Sequence, residues 1–295
     1  MLNGFELRRA DFGFTGEGLS RPECILAEAS GDLWVSDNRG AVTHIRPDGA
    51  QRLLGTMGGK PNGMAMDTNG SILLANIALR KFFRVARDGS HELFFDRIDG
   101  HPVGAANFVG RDRWRRTWLS VSSRLENHLL ALEEDIPDGY VILLDERGAR
   151  IVADGLLFTN EVRVDNHGHY LYMAETRGGR ISRARIRADG SLGEPEVFGP
   201  DPIFPGALVD GIRFDSAGNL WVTEITRNRL YVLQPDGCAL LVFEDPEGDI
   251  LDHPSSLTFA GEDLRTVYVG GLGQTRLARF RAPVAGRPPV HWLAS

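Results

Sequence analysis

Cysteine is nearly absent: Cys24 and Cys238 are the only two in 295 residues. Two thiols make no disulfide framework, so a hydrophobic core must hold the fold, and the thiol content does not call for an oxidising compartment. Long apolar runs are missing too. No stretch approaches the ~20 apolar residues of a membrane span, and the opening residues Met1 to Arg9 lack the apolar centre of a secretory leader. These absences lead us to expect a soluble, cytoplasmic protein with no membrane partner. Excess positive charge is also lacking. A net charge of −7 argues against a nucleic-acid partner, and the short cluster Arg113, Arg115 and Arg116 reads as a solvated strand face or turn. The sequence is silent on oligomeric state.

Glycine, by contrast, is plentiful, at 35 residues against 15 prolines, both spread along the chain. That distribution suits many short strands joined by tight turns, and the 42% hydrophobic content is enough for a sizeable core. The clearest unit runs from Val209 to Glu224. Ile212 and Phe214 alternate as in a strand, Asp215 to Asn219 form a turn with Gly218 where positive φ is needed, and Leu220, Trp221 and Val222 start a second strand. The unit recurs at Pro22–Asp37, Pro61–Asn76, Asn107–Ser120, Thr159–Glu175 and, in degenerate form, His253–Val269. A third apolar run closed by a turn follows, as at Asp48-Gly49, Asp88-Gly89, Asp189-Gly190 and Asp236-Gly237, and then a fourth run. From Glu23 to Asp210 the repeat takes four steps of about 47 residues, within the range of propeller repeats. The expectation is an all-β, six-bladed β-propeller with four antiparallel strands per blade, forming a single domain over residues 1–295. The longest insertion, Ser123 to Asp138, is expected to form a loop or short helix on one mouth. The segment Phe5-Glu6-Leu7 is expected to lend a strand to the last blade and close the ring.

In a propeller the first strand of every blade lines the central channel. The repeat therefore gathers Glu23, Asn62, Asn107, Asn160, Asp210 and Ser255 at one level about the axis. Two carboxylates buried side by side are unfavourable unless a cation joins them. The donors are all oxygen, which favours a hard divalent ion, Ca²⁺, Mg²⁺ or Mn²⁺, over a soft-ligand zinc site. Asn-Gly and Asp-Gly pairs also form turns, so Asn62-Gly63 or Asp210-Gly211 alone would carry little weight. Their shared repeat position, with Glu at 23, favours the metal. His101 and His253 precede the third and sixth inner strands and are expected near the same mouth, either as proton shuttles or as loop histidines bonded to backbone. Trp34, Trp118 and Trp221 recur at one repeat position and read as inter-blade packing, Cys24 as a small core residue.

The runs Pro22-Glu23, Phe158-Thr159-Asn160 through Glu175-Thr176, and Asp210-Gly211 through Leu220-Trp221-Val222 resemble the senescence marker protein, gluconolactonase and luciferin-regenerating enzyme family, which includes regucalcin. The resemblance extends from about residue 20 to residue 280. It implies one divalent metal ion, Ca²⁺ first and Zn²⁺, Mn²⁺ or Mg²⁺ as alternatives, held by Glu23, Asn160 and Asp210. Asn107 would lie near metal and substrate, and Asn62, His101 and His253 join it as substrate-binding candidates. The implied activity is hydrolysis of a small-molecule lactone or ester, with the metal as Lewis acid and Asp210 as general base. Where sugar lactonases of the family carry Arg, Asp and Glu, this chain has Ala105, Phe108 and a position near Leu125, which leads us to expect a substrate less polar than a sugar lactone. Alternatives are a phosphotriesterase-like hydrolase at the same metal, a non-catalytic calcium-binding propeller, and a metal-free enzyme like strictosidine synthase, which the segment from Gly155 to Thr176 also resembles.

Overall fold

Each strand–turn–strand unit forms the inner half of a four-stranded antiparallel sheet in the computed structural model, which describes Leu2 and residues 4–293. Six such sheets are present among the described residues. Their inner strands are Ile25–Ala27, Pro61–Met66, Ala106–Arg111, Thr159–Val164, Val209–Phe214 and Pro254–Ala260. These strands neighbour one another in sequence order, and the first also touches the last, which makes a ring. No described helix is long and apolar enough to cross a membrane.

The turns follow the sequence pattern. Gly49, Gly89, Gly190 and Gly237 take φ between 81° and 95° after their aspartates, a conformation that strains residues with a Cβ. The tryptophans do more than pack. Trp34, Trp118 and Trp221 each donate Nε1–H to an acid at the end of the inner strand: Glu28 at 2.8 Å, Asp112 at 2.9 Å and Asp215 at 3.2 Å. Asp215 also accepts the backbone N–H groups of Ala217 and Asn219 and the Asn219 amide, so one carboxylate pins the whole turn. Between blades, Trp221 packs edge-on against Phe259 and tilted against Phe280.

The ring closes through the N-terminal segment, but not with the residues expected. Gly13–Thr15 pairs antiparallel with Leu277–Arg279 as the fourth strand of the last blade. Phe5-Glu6-Leu7 instead passes under blade five, where Leu7 N–H bonds to Val242 O at 2.8 Å and Leu7 joins the Trp221–Phe259 core.

Two further segments cover the channel's ends. The C-terminal tail seals the end away from the acidic ring. Ser216 N–H bonds to Ala285 O at 2.8 Å, Arg287 reaches Asn166 O at 2.9 Å, and His291 and Trp292 both meet Ala27 O at 2.8 Å. At the other mouth lies the Ser123–Asp138 insertion, with one short helix, Leu130–Glu133. Asp138 accepts Ser123 Oγ–H and Arg124 N–H, and Arg80 donates to the carbonyls of Leu125 and Arg124 at 2.9 and 3.0 Å, so the insertion is fastened at its base.

Candidate active site

The six ring positions come together as the repeat requires. Glu23, Asn62, Asn107, Asn160, Asp210 and Ser255 are each at most 4% exposed. In five of the six blades the register between inner and second strands slips at this level, at Pro61/Met64, Ala106/Phe108, Thr159/Val162, Val209/Ile212 and Pro254/Ser256. A bulge bends its strand and re-aims a side chain; repeated around the axis, it tilts the strand starts toward the channel. The glycines that follow serve this geometry, not a turn. Gly63 and Gly211 lie inside strands. A Cβ on Gly63 would sit 2.4 Å from Phe108 Cδ2, and one on Gly211 would sit 2.3 Å from Ser255 O, so adjacent blades could not approach as closely with any other residue.

The hydrogen bonds divide the ring into supports and free acceptors. Asn62 Nδ2–H donates to Glu23 Oε1 at 3.0 Å, Asn107 O at 3.0 Å and Asn107 Oδ1 at 3.2 Å. Asn107 Nδ2–H donates to Ser122 Oγ at 2.9 Å, so both ends of that amide are engaged. Ser255 Oγ–H bonds to Glu23 O at 3.0 Å. Asn160 Nδ2–H is tied to Thr176 Oγ1 at 3.0 Å, which fixes the amide's orientation and leaves its oxygen free. Four buried acceptors have no donor: Glu23 Oε2, Asn62 Oδ1, Asn160 Oδ1 and Asp210 Oδ1. Orphaned buried acceptors are unfavourable and call for a missing partner. A hard cation fits this donor set of carboxylate and amide oxygens. Among the described residues no three His, Cys, Asp or Glu side chains cluster; the set is two carboxylates completed by amides.

The electrostatics agree. Burial pushes the Glu23 carboxyl up to about 8, and Glu161 adds to the rise while Arg21 and Arg163 oppose it. Burial likewise raises Asp210 well above the ordinary carboxylate range, reinforced by Glu23 and Glu161 and opposed by Arg21 and Asn160. Glu161, deeper in the channel, is fully engaged. It accepts Arg163 at 2.7 Å, Ile212 N–H at 3.2 Å and Ser256 Oγ–H at 2.6 Å, and so braces three neighbouring blades.

His101 is exposed in a two-residue ladder with Ile98. His253 is exposed and turns its Nδ1 to Asp252 at 2.6 Å. Neither hydrogen-bonds to a ring residue among the described residues. A further histidine, which repeat logic does not single out, is His128 of the insertion. It is half-buried, 6.5 Å from the ring of Phe158, two residues before Asn160. Burial lowers its pKa, as do the nearby charges of Lys60, Arg80 and Arg21. Thr176, Ser122 and Glu161, which orient the ring, are likewise invisible to a ring read only from strand starts. Ala105 and Phe108 are fully buried. Phe108 lies against Arg163 and Gly63 and belongs to a core cluster between blades, so Phe108 by itself does not make the mouth apolar.

The region from residue 21 to residue 271 matches the family model described as SMP-30/Gluconolactonase/LRE-like region. Two characterised relatives are similar: a 6-deoxy-6-sulfogluconolactonase of Pseudomonas putida, 27% identical over 67% of this chain and 66% of its own length, and a pentonolactonase of Haloferax volcanii, 27% identical over 64% and 66%. The aligned part thus spans just under two-thirds of each relative. Among solved structures, a gluconolactonase from Xanthomonas campestris superposes with a TM-score of 0.73 at 23% identity, covering 92% of this chain and 88% of that one. The calcium-binding protein regucalcin from Agrobacterium tumefaciens superposes with 0.73 at 16%, covering 93% and 96%. At these identities the structures share the fold.

Proposed function

We propose, for a chain that belongs to the SMP-30/gluconolactonase/LRE-like family, that it hydrolyses a lactone at the six-residue ring. The observation that carries this reading is the convergence of unpartnered oxygens from Glu23, Asn62, Asn160 and Asp210 in a buried ring. The two lactonase relatives support the reaction class, and the calcium-binding neighbour is in keeping with a divalent ion. Glu23, Asn160 and Asp210 would hold the ion, with Ca²⁺ favoured by the all-oxygen set. A divalent cation bound there supplies Lewis acidity that polarises the lactone carbonyl and stabilises negative charge developing on its oxygen.

The chain's own residues do the rest. Asp210 has two carboxylate oxygens: the unpartnered Oδ1 would join the ion, and the other takes a proton from the attacking water. The water oxygen bonds to the carbonyl carbon, the ring C–O bond breaks, and the departing alkoxide receives the proton, giving a hydroxy acid. A carboxylate that can meet the ion through one oxygen and take the proton on the other suits this exchange. Thr176 orients Asn160, and the Asn62–Asn107–Ser122 chain orients Glu23. Asn107, with both amide ends occupied, acts as a positioning residue. His101 and His253 have no assigned step.

The test is acid release from a panel of lactones, esters and organophosphates by wild type and Asp210→Ala. Turnover of lactones lost in a folded variant is the expected result. Turnover of organophosphates alone would move the reading to a phosphotriesterase, and no turnover of any substrate by wild type would overturn hydrolysis.

A further inference from the structure

Cations gather at the mouth above the ring without forming ion pairs. Arg21 comes from the start of blade one and donates to Pro61 O at 3.2 Å, which places its guanidinium beside Lys60. Lys60 is exposed at the start of blade two. Arg80 is anchored to the carbonyls of Arg124 and Leu125 at the base of the insertion. His128 sits among the three. Arginines elsewhere in this chain are commonly ion-paired, as in Arg39–Asp37, Arg116–Asp112 and Arg163–Glu161. Arg21, Lys60 and Arg80 form no ion pair among the described residues, and neither does Glu126 of the adjoining insertion.

The two ring carboxylates are the acids that face Arg21. A divalent cation held by Glu23 and Asp210 would neutralise them and leave Arg21, Lys60 and Arg80 as uncompensated charge at one opening of a protein whose net charge is −7. Arg80 is occupied with backbone carbonyls, while Arg21 spends one Nη1 donor on Pro61 O and Lys60 is exposed. Free guanidinium and ammonium donors beside a site are the means by which proteins take up carboxylate and phosphate groups.

We propose that the mouth selects a lactone carrying a second, anionic group, a carboxylate or a phosphate, remote from the carbonyl, and that Arg21 and Lys60 receive that group while the ring receives the lactone. This rests on the lactonase reading for its reaction and on the unpaired cations for its specificity.

The experiment compares matched pairs that differ only at the far end: the γ-lactones of gluconate and glucarate, and the δ-lactone of gluconate with its terminal phosphate ester. The kcat/KM is measured for each, and binding of the corresponding open-chain hydroxy acids is measured by calorimetry. The anionic member of each pair is expected to be favoured by about tenfold or more at low salt, with the preference shrinking as salt rises. In Lys60→Met the ratio should fall toward one, and in Lys60→Glu it should invert. Preference for the anionic acids in binding, without turnover of any lactone, would keep the cationic subsite and overturn the hydrolase. Equal turnover and equal binding within each pair, or a ratio that Lys60→Glu leaves unmoved, would overturn the subsite and leave lactone hydrolysis standing.

Discussion

Glu23→Gln should make the protein more stable in chelator and inactive throughout, and the size of the effect can be worked out. In the folded, metal-free state burial raises the Glu23 carboxyl from 4.5 to about 8. The unfolded chain ionises this group freely. Holding it protonated at pH 7 therefore disfavours the folded state by about 3 kcal/mol, at about 1.4 kcal/mol per pH step above the unfolded value. Since the carboxyl is raised on folding, the penalty is absent below pH 4.5 and grows as pH climbs toward 8. Glutamine keeps the shape, retains an acceptor for Asn62 Nδ2–H, and turns a donor toward orphaned oxygens. Part of the penalty is shared with Asp210, so a gain of roughly 1–3 kcal/mol is expected, or about 2–5 °C in Tm for a chain of this length. The assay is thermal unfolding of both proteins in chelator from pH 5 to 8, then in excess Ca²⁺. In chelator the variant should melt higher, and its advantage should widen with pH. In Ca²⁺ the wild type should gain about 3 kcal/mol at a hundredfold excess over Kd, while the variant gains little and the order reverses. A variant less stable than wild type in chelator at pH 8 would refute the reasoning, because Glu23 would then be supporting the fold. Equal stabilisation of both by Ca²⁺ would refute its place as a ligand.

Other consequences follow from the same geometry. Asp215→Ala removes the acceptor of two backbone N–H groups, the Asn219 amide and Trp221 Nε1–H. A loss of about 3 kcal/mol or more is expected in urea unfolding, because buried donors are left unpaired. Gly211→Ala places a methyl 2.3 Å from Ser255 O and 2.7 Å from Ser256 Cα; forcing two blades apart should remove roughly 2–4 kcal/mol and lower kcat more than Tm alone accounts for. Thr176→Val frees Asn160 to rotate, and Ca²⁺ affinity measured by calorimetry should fall by about 10-fold, as for other residues that orient a ligand. Unchanged affinity would separate Asn160 from the ligand set.

The fold was readable because its repeat is periodic in three signals at once: the ring residue, the turn acid and the Asp-Gly hairpin. The ring itself was readable because equivalent repeat positions must share a radius. What escaped were features set by single contacts. Phe5 to Leu7 alternates like a strand, yet Leu7 makes one backbone bond to blade five while the patternless Gly13-Phe14-Thr15 closes the ring. Phe108 counts toward an apolar mouth only if the strand is regular. The slip between Ala106 and Phe108 accompanies a side chain turned into the core. His128 and the cations around it, Arg21, Lys60 and Arg80, come from four positions far apart in sequence, and no period joins them. The tail that seals the lower channel lies outside the repeats altogether.

The most direct test of the account is lactone hydrolysis by the intact chain after exhaustive chelation and again after Ca²⁺ is restored, with Asp210→Asn in parallel. The account requires turnover that disappears with the metal, returns with it, and does not return in the variant. Lactone turnover that persists undiminished in chelator would contradict it, because the unpartnered oxygens of Glu23, Asn160 and Asp210 would then have no part in the chemistry.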